Sequence, residues 1–175
     1  MKIEIINGSP RKGNTVAAIS AFVNGLKGHE VEIIDADKAN ISPCKGCGAC
    51  ECYKGCVAQD DSNVLIDKLV AADMIVFASP VYWWGVTAQI KTVIDKCYCK
   101  GASLKGKTIG LIIVGGASTD NVQYDLIGKQ FECIAQYLDW DIAFYNKYSA
   151  SAADALAADA DAMRSLEELA AQITE

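Results

Sequence analysis

A three-layer α/β sandwich, with helices on both faces of a parallel sheet, is the fold this sequence predicts. Two observations lead there. Five short runs rich in Ile and Val are apolar along nearly their whole length, as strands covered on both faces must be. Longer segments of helical period alternate with them, and no repeat or Pro/Ser-rich linker interrupts, so residues 1–175 read as one domain.

The strands are expected at Lys2–Ile6, Val31–Asp35, Met74–Ser79, Thr108–Val114 and Asp141–Tyr145. A first helix should span Thr15–Leu26, where Val16, Ala18, Ile19, Phe22, Val23 and Leu26 form an apolar stripe. A second begins at Asp61 or Ser62, either of which can cap it, and buries Val64, Leu65, Leu69 and Val70. The third carries Ile90, Val93, Ile94 and Cys97, and the fourth Ile127, Phe131, Ile134 and Leu138. A last helix repeats Leu156, Met163, Leu166 and Ile173 on one face and leaves its acids on a solvated one. Ligands of such sheets bind beyond the carboxyl ends of the strands, so the loops after the first, third and fourth strands are the places to look.

The net charge is −6, and residues 154–175 hold six acids against one base, so the rest of the chain is nearly neutral. The basic residues are not gathered on one face, and no nucleic-acid partner is expected. No apolar run approaches the roughly 18 residues that a bilayer requires, and Ile3–Ile6 is too short for a signal-peptide core, so a cytoplasmic protein without a membrane partner is expected. Eight cysteines in that reducing compartment read as metal ligands, redox groups or reduced core thiols rather than disulfides. The single histidine, His29, lies in a polar connection with no evident partner and reads as a surface residue. With no second histidine and no Gly-x-Ser-x-Gly elbow, the ordinary Ser-His-Asp and Cys-His nucleophiles are missing.

Three loops carry chemistry. The first, Gly8-Ser9-Pro10-Arg11-Lys12-Gly13-Asn14-Thr15, has the Gly-x4-Gly spacing of a nucleoside-triphosphate loop, but Asn14 replaces its lysine. What remains is a site for a monophosphate: the Ser9 and Thr15 hydroxyls, the Asn14 amide, backbone N–H groups and a helix N-terminus. The plain alternative is a turn with an N-cap. The second, Ser79-Pro80-Val81-Tyr82-Trp83-Trp84-Gly85, places three aromatics in a row, and at least one should offer its face or edge to a flat heterocycle, unless all three pack under loops or at a subunit interface. In the third, Gly115 and Gly116 allow a backbone to approach a ligand.

These loops, extended through Val86-Thr87-Ala88-Gln89-Ile90-Lys91, resemble the flavodoxin-like NAD(P)H-dependent FMN reductase family, and within it the iron–sulfur flavoprotein branch. The resemblance implies a sheet of order 2-1-3-4-5 and FMN with its phosphate on Ser9, Arg11, Lys12, Asn14 and Thr15. It implies an isoalloxazine ring against Pro80, Val81, Tyr82, Trp83 and Gly85, with Gly115 and Gly116 closing the pocket, and a homodimer or homotetramer with its interface near the flavin.

Residues 36–61 form a connection far longer than the two to six or so residues usual in such folds, and it contains Cys44-x2-Cys47-x2-Cys50-x5-Cys56, with Cys52 inside the last gap. Three thiolates at steps of three and a fourth farther on resemble ferredoxin ligation, and Gly46, Gly48 and Gly55 permit the tight turns. In the family branch a motif of similar spacing holds a [4Fe–4S] cluster; the departure is from ferredoxins, which place the fourth cysteine after three residues and follow it with proline, whereas here Val57 follows Cys56. Structural zinc and unligated thiols are the rival readings, and Cys52 could replace Cys50 or Cys56. Cys97 and Cys133 read as buried thiols, with Cys99 undecided. The resulting expectation is an FMN-dependent oxidoreductase that moves electrons from NAD(P)H or a reduced carrier to a quinone, a flavin or an iron–sulfur acceptor. An electron carrier docking ferredoxin, or a zinc-stabilised flavin-binding module, are the alternatives.

Overall fold

The computed structural model describes residues 1–174. Its elements are β1 (Lys2–Asn7), α1 (Asn14–Gly25), β2 (Glu30–Asp35), α2 (Ser62–Ala71), β3 (Met74–Pro80), α3 (Ala88–Cys97), a 3-10 turn (Tyr98–Leu104), β4 (Thr108–Gly115), α4 (Val122–Leu138), β5 (Asp141–Ser149), α5 (Ala155–Ala158) and α6 (Ala160–Ala171). All strand pairs are parallel and the order is β2-β1-β3-β4-β5, as expected.

The side chains of β1 alternate between two cores, as the period of two requires. Ile3 and Ile5 face Ala18, Ile19 and Phe22 of α1 and Leu166 and Ala170 of α6. Ile6 joins Leu65, Ile66 and Leu69 of α2, Ile90 and Val93 of α3, and Ile127 and Phe131 of α4. Each such chain removed from water contributes about 1.5–3 kcal/mol, which makes these two interfaces the main stabilising term. On β4 the pairing steps from Ile109–Ile142 to Gly110–Phe144, so β5 carries one extra residue at a bulge. Gly110 is needed there because a Cβ would run into the Phe144 ring.

Four expectations are corrected. Val64 of α2, expected in the core, is exposed, and Ile66 is buried instead. The last helix is two: Asp159, with φ −88° and ψ 93°, interrupts it and caps α6 by accepting from the Asp161 and Ala162 amides, and Ile173 lies past the helix end. At the start of α2 neither Asp61 nor Ser62 caps through its side chain; the Asp60 carboxylate accepts the Ser62 amide instead. His29 is not a bare surface residue, since Nε2 contacts the Ile173 carbonyl oxygen at 3.1 Å and Nδ1 lies 3.5 Å from the Met1 amine, fastening the last residues to β2's entry.

One side chain fits poorly. Glu4 on β1 is fully buried facing α2, and neither carboxylate oxygen has a hydrogen bond, while Lys2 Nζ stands 3.4 Å away. Burial, reinforced by the Glu32 charge, holds its pKa above the usual 4.5. The folded state therefore binds this proton more tightly than the unfolded chain does, and stability falls as pH rises above about 4.5 and the group must ionise inside the fold. Glu4→Gln should raise stability at pH 7 by about 1 kcal/mol, or about 2–4 °C in melting temperature. Thermal melts at pH 7 and pH 4 check this: the gain should vanish at the lower pH, and equal melting temperatures at pH 7 would contradict it.

Candidate functional site

The carboxyl ends of β1, β3, β4 and β5 enclose a cleft of about 230 Å³ lined by Ser9, Arg11, Gly13, Asn14, Thr15, Pro80, Val81, Tyr82, Val114, Gly115, Gly116, Ala150 and Ser151. Its floor is knotted together. Gly8 donates its amide to Ala78 O at 2.8 Å, and a Cβ on Gly8 would strike Ile90 and Thr87. The Thr87 hydroxyl donates to Gly8 O at 2.9 Å while accepting the Ile90 amide as the N-cap of α3. The Val81 amide donates to Val114 O and the Ala150 amide to Gly115 O, both at 2.8 Å, so the walls are continuous with the sheet.

The N-terminus of α1 opens on this cleft. Its N-cap, Gly13, supplies no side chain, and the first turn holds no acid, so the positive end of the helix dipole is uncompensated. The Ser9 hydroxyl curls the loop by donating to Arg11 O at 2.7 Å. Asn14 behaves otherwise than expected: its Nδ2 donates to Ala150 O (3.3 Å) and Ala152 O (2.8 Å), and its Oδ1 accepts the Leu156 amide (3.0 Å). The Asn14 amide is thus a strap that holds residues 150–156 over α1, and its backbone N–H, not its side chain, remains for an anion.

Tyr82 and Gly85 exchange backbone hydrogen bonds of 2.9 and 3.1 Å, making a two-residue hairpin whose central residues, Trp83 and Trp84, both have positive φ (47° and 63°). Two tryptophans in the left-handed region cost about 1–3 kcal/mol each, a strain that clusters at functional sites. The rings meet edge to face with centroids 5.4 Å apart, and Trp83 is 91% exposed. Of the expected flavin-binding residues, Lys12, Trp83 and Gly85 do not line the cleft. Ala150 and Ser151 do; the signal that could have found them is the serine pair of Ser149-Ala150-Ser151 at the end of β5, although no glycine marks that loop. Gln123 Nε2 is buried beside Gly115 without a hydrogen-bond partner.

A second cavity, of about 520 Å³, is ringed by Cys44, Cys47, Cys50 and Cys56, together with Ser42, Asp95, Lys96, Tyr98 and Cys99. Gly46, Gly48 and Gly55 all have positive φ (63°, 72° and 86°), as the tight turns require. The base of the loop is zipped by Asn40 and Asp61, which exchange backbone and carboxylate bonds, and by Asp60, which accepts the Ser42 amide (2.9 Å) and hydroxyl (2.6 Å). These donors hold the Asp60 carboxyl far below its usual range despite partial burial. Asn63 of α2 grips Cys56 at both backbone groups, accepting its amide at 2.7 Å and donating to its carbonyl at 2.8 Å.

Lys96 Nζ lies 3.3 Å from Cys56 Sγ and 3.8 Å from the Asp60 carboxylate. Burial alone would lower its pKa, but the sulfur and the carboxylate outweigh it and hold the ammonium above the ordinary value. Among the described residues no three Cys, His, Asp or Glu donors are grouped to hold one metal ion, so the four cysteines ring the cavity rather than meet at a point.

Cys52 turns away from this ring into an apolar cavity of about 370 Å³ with Cys97, Tyr98 and Tyr137. Cys97 is buried, and burial pushes its thiol up to about 12. Cys99 is buried too, and lines the cysteine cavity. Cys133, expected inside, is exposed. No helix among the described residues is long and apolar enough to cross a membrane.

The model of the NADPH-dependent FMN reductase family matches residues 1–138. The chain is 36% identical over 146 residues to an iron–sulfur flavoprotein of Methanosarcina thermophila, covering 80% of this chain and 72% of that one. It is 41% identical over 119 residues to an iron–sulfur flavoprotein of Archaeoglobus fulgidus, covering 65% of this chain and 54% of that one. In fold it is similar to an NAD(P)H:quinone oxidoreductase from Methanothermobacter marburgensis, with a TM-score of 0.74 and 14% identity over 99% of both chains. The chain therefore belongs to the NADPH-dependent FMN reductase family of oxidoreductases, in its iron–sulfur flavoprotein branch.

Proposed function

We propose that residues 1–175 form one FMN-binding domain with a redox insert at 36–61, and that it passes electrons between small-molecule donors and acceptors in the cytoplasm. The observation that carries this reading is the uncapped N-terminus of α1 facing a cleft walled by the ends of four strands. The backbone amides of Asn14 and Thr15, the Thr15 hydroxyl and the Arg11 guanidinium bind the FMN phosphate, while exposed Lys12 adds only charge at the rim. Pro80, Val81, Tyr82, Gly115 and Gly116 bind the ring, and the Trp83–Gly85 end of the hairpin shields it from water, in one chain or across a homodimer or homotetramer interface.

When bound, FMN supplies two-electron exchange with NAD(P)H and one-electron exchange with carriers, and a [4Fe–4S] cluster supplies one-electron exchange. The protein's own part is to bind, orient and exclude water, so the absence of a second histidine is no obstacle.

Cys44, Cys47, Cys50 and Cys56 are the ligands of that cluster. A dispersed ring of four thiols around 520 Å³ suits a multi-iron cluster better than a single zinc, whose tetrahedral thiolates would sit about 4 Å apart. The exposure of Cys44 and Cys47 favours a second reading, in which the protein is a carrier that docks ferredoxin through this loop.

Protein purified without oxygen should show flavin bands over a broad brown absorption, with iron and acid-labile sulfide near four per chain for a [4Fe–4S] cluster. Iron-free flavin bands would remove the cluster, and no flavin after added FMN would remove the central reading. Thr15→Ala combined with Arg11→Ala should weaken FMN binding by about 10²- to 10⁴-fold, since charge-assisted bonds are worth about 1.5–3 kcal/mol each; fluorescence titration of the stripped protein measures it. Cys56→Ser should lower iron and sulfide while leaving FMN affinity unchanged, because the two cavities share no lining residue. Rapid mixing with NADPH separates the enzyme, whose flavin bleaches, from a carrier reduced only by ferredoxin.

A further inference from the structure

Lys96 is a buried charge that the packing of α3 does not explain. It lies three residues beyond Val93 and beside Cys97, both buried on α3, and an apolar side chain could pack there without desolvating an ammonium. Its side chain is 4% exposed, and its Nζ ends in the cysteine cavity, against Cys56 Sγ and within 3.8 Å of Asp60. The other charges on the cavity wall are spent elsewhere: Lys45 is exposed, and Asp95 pairs with Lys91 at 2.6 Å. Among the described residues that line the cavity, Lys96 is the one buried cation.

Resting on the reading that the four cysteines hold an iron–sulfur cluster, we propose that Lys96 is a positioning residue that donates a hydrogen bond to the Cys56 sulfur and fixes a positive charge beside the cluster, raising its reduction potential. Reduction adds one electron and no proton, so the product carries one more negative charge. A buried cation and an N–H···S bond both stabilise that form, and each is among the protein's levers on cluster potential. Asp60, whose carboxylate faces the same ammonium, acts in the opposite sense.

Wild type, Lys96→Met, Lys96→Arg and Asp60→Asn are compared, first for iron and sulfide per chain and then by anaerobic redox titration followed by electron paramagnetic resonance. Lys96→Met should lower the equilibrium constant for cluster reduction at least tenfold, a fall of about 59 mV for one electron. Lys96→Arg should stay within threefold of wild type, and Asp60→Asn should shift the potential upward. Mere loosening of the loop would move the Met and Asn variants the same way, which would overturn the proposal. A wild type that carries the cluster while Lys96→Met keeps its potential would overturn the role of Lys96 alone, whereas a wild type without iron and sulfide would overturn the cluster reading and this role with it. If Lys96→Met fails to hold the cluster, Asp60→Asn decides: an unchanged or lowered potential refutes the assignment.

Discussion

All five strands run in the same direction and the central strands β1, β3 and β4 are covered on both faces, and this constraint arranges the rest of the molecule. Each strand must be returned by a helix, so every βα loop leaves the sheet at one edge. The loops after β1, β3 and β4 therefore meet whether or not their sequences attract one another. The close approach at Gly8 and Thr87 then fixes how they meet, because the threonine bonds the first loop while capping the helix that follows the aromatic one.

The same edge shows how one residue can be drawn between folding and binding. Asn14 sits at the first position of α1, where an amide side chain could reach an anion, yet all its side-chain bonds go to residues 150–156. That use closes the β5 side of the cleft with Ala150 and Ser151 and leaves the backbone amides of α1, which no side chain caps, as donors. The strained Trp83–Trp84 turn is a comparable compromise: local backbone energy is raised to place two large rings at the rim.

The cysteine loop carries no regular secondary structure, so its shape depends on side chains that are not cysteines. Asp60 and Asp61 zip its base, and Asn63 holds Cys56 by both backbone groups. Gly55 has a positive φ, and a Cβ there would come within 2.7 Å of the Asn63 amide oxygen, so the glycine and the asparagine depend on each other. Such outer contacts hold the Cys56 thiol in place within a loop that has no ladder or helix of its own.

The sequence by itself determined the five strands, the first four helices, the phosphate-loop pattern and the four-cysteine spacing. Each is a local signal: an apolar run, a 3.6-residue stripe, or residue types at short fixed intervals. It misjudged what depends on distant partners. The break at Asp159, the bond from His29 to Ile173, the engagement of Asn14 and the exposure of Cys133 are set by contacts across the chain. Only the tertiary structure brought Lys96 to Cys56, forty residues away, and turned Cys52 out of the ring, because a side chain's surroundings follow from how helices pack on the sheet and not from its neighbours in the chain.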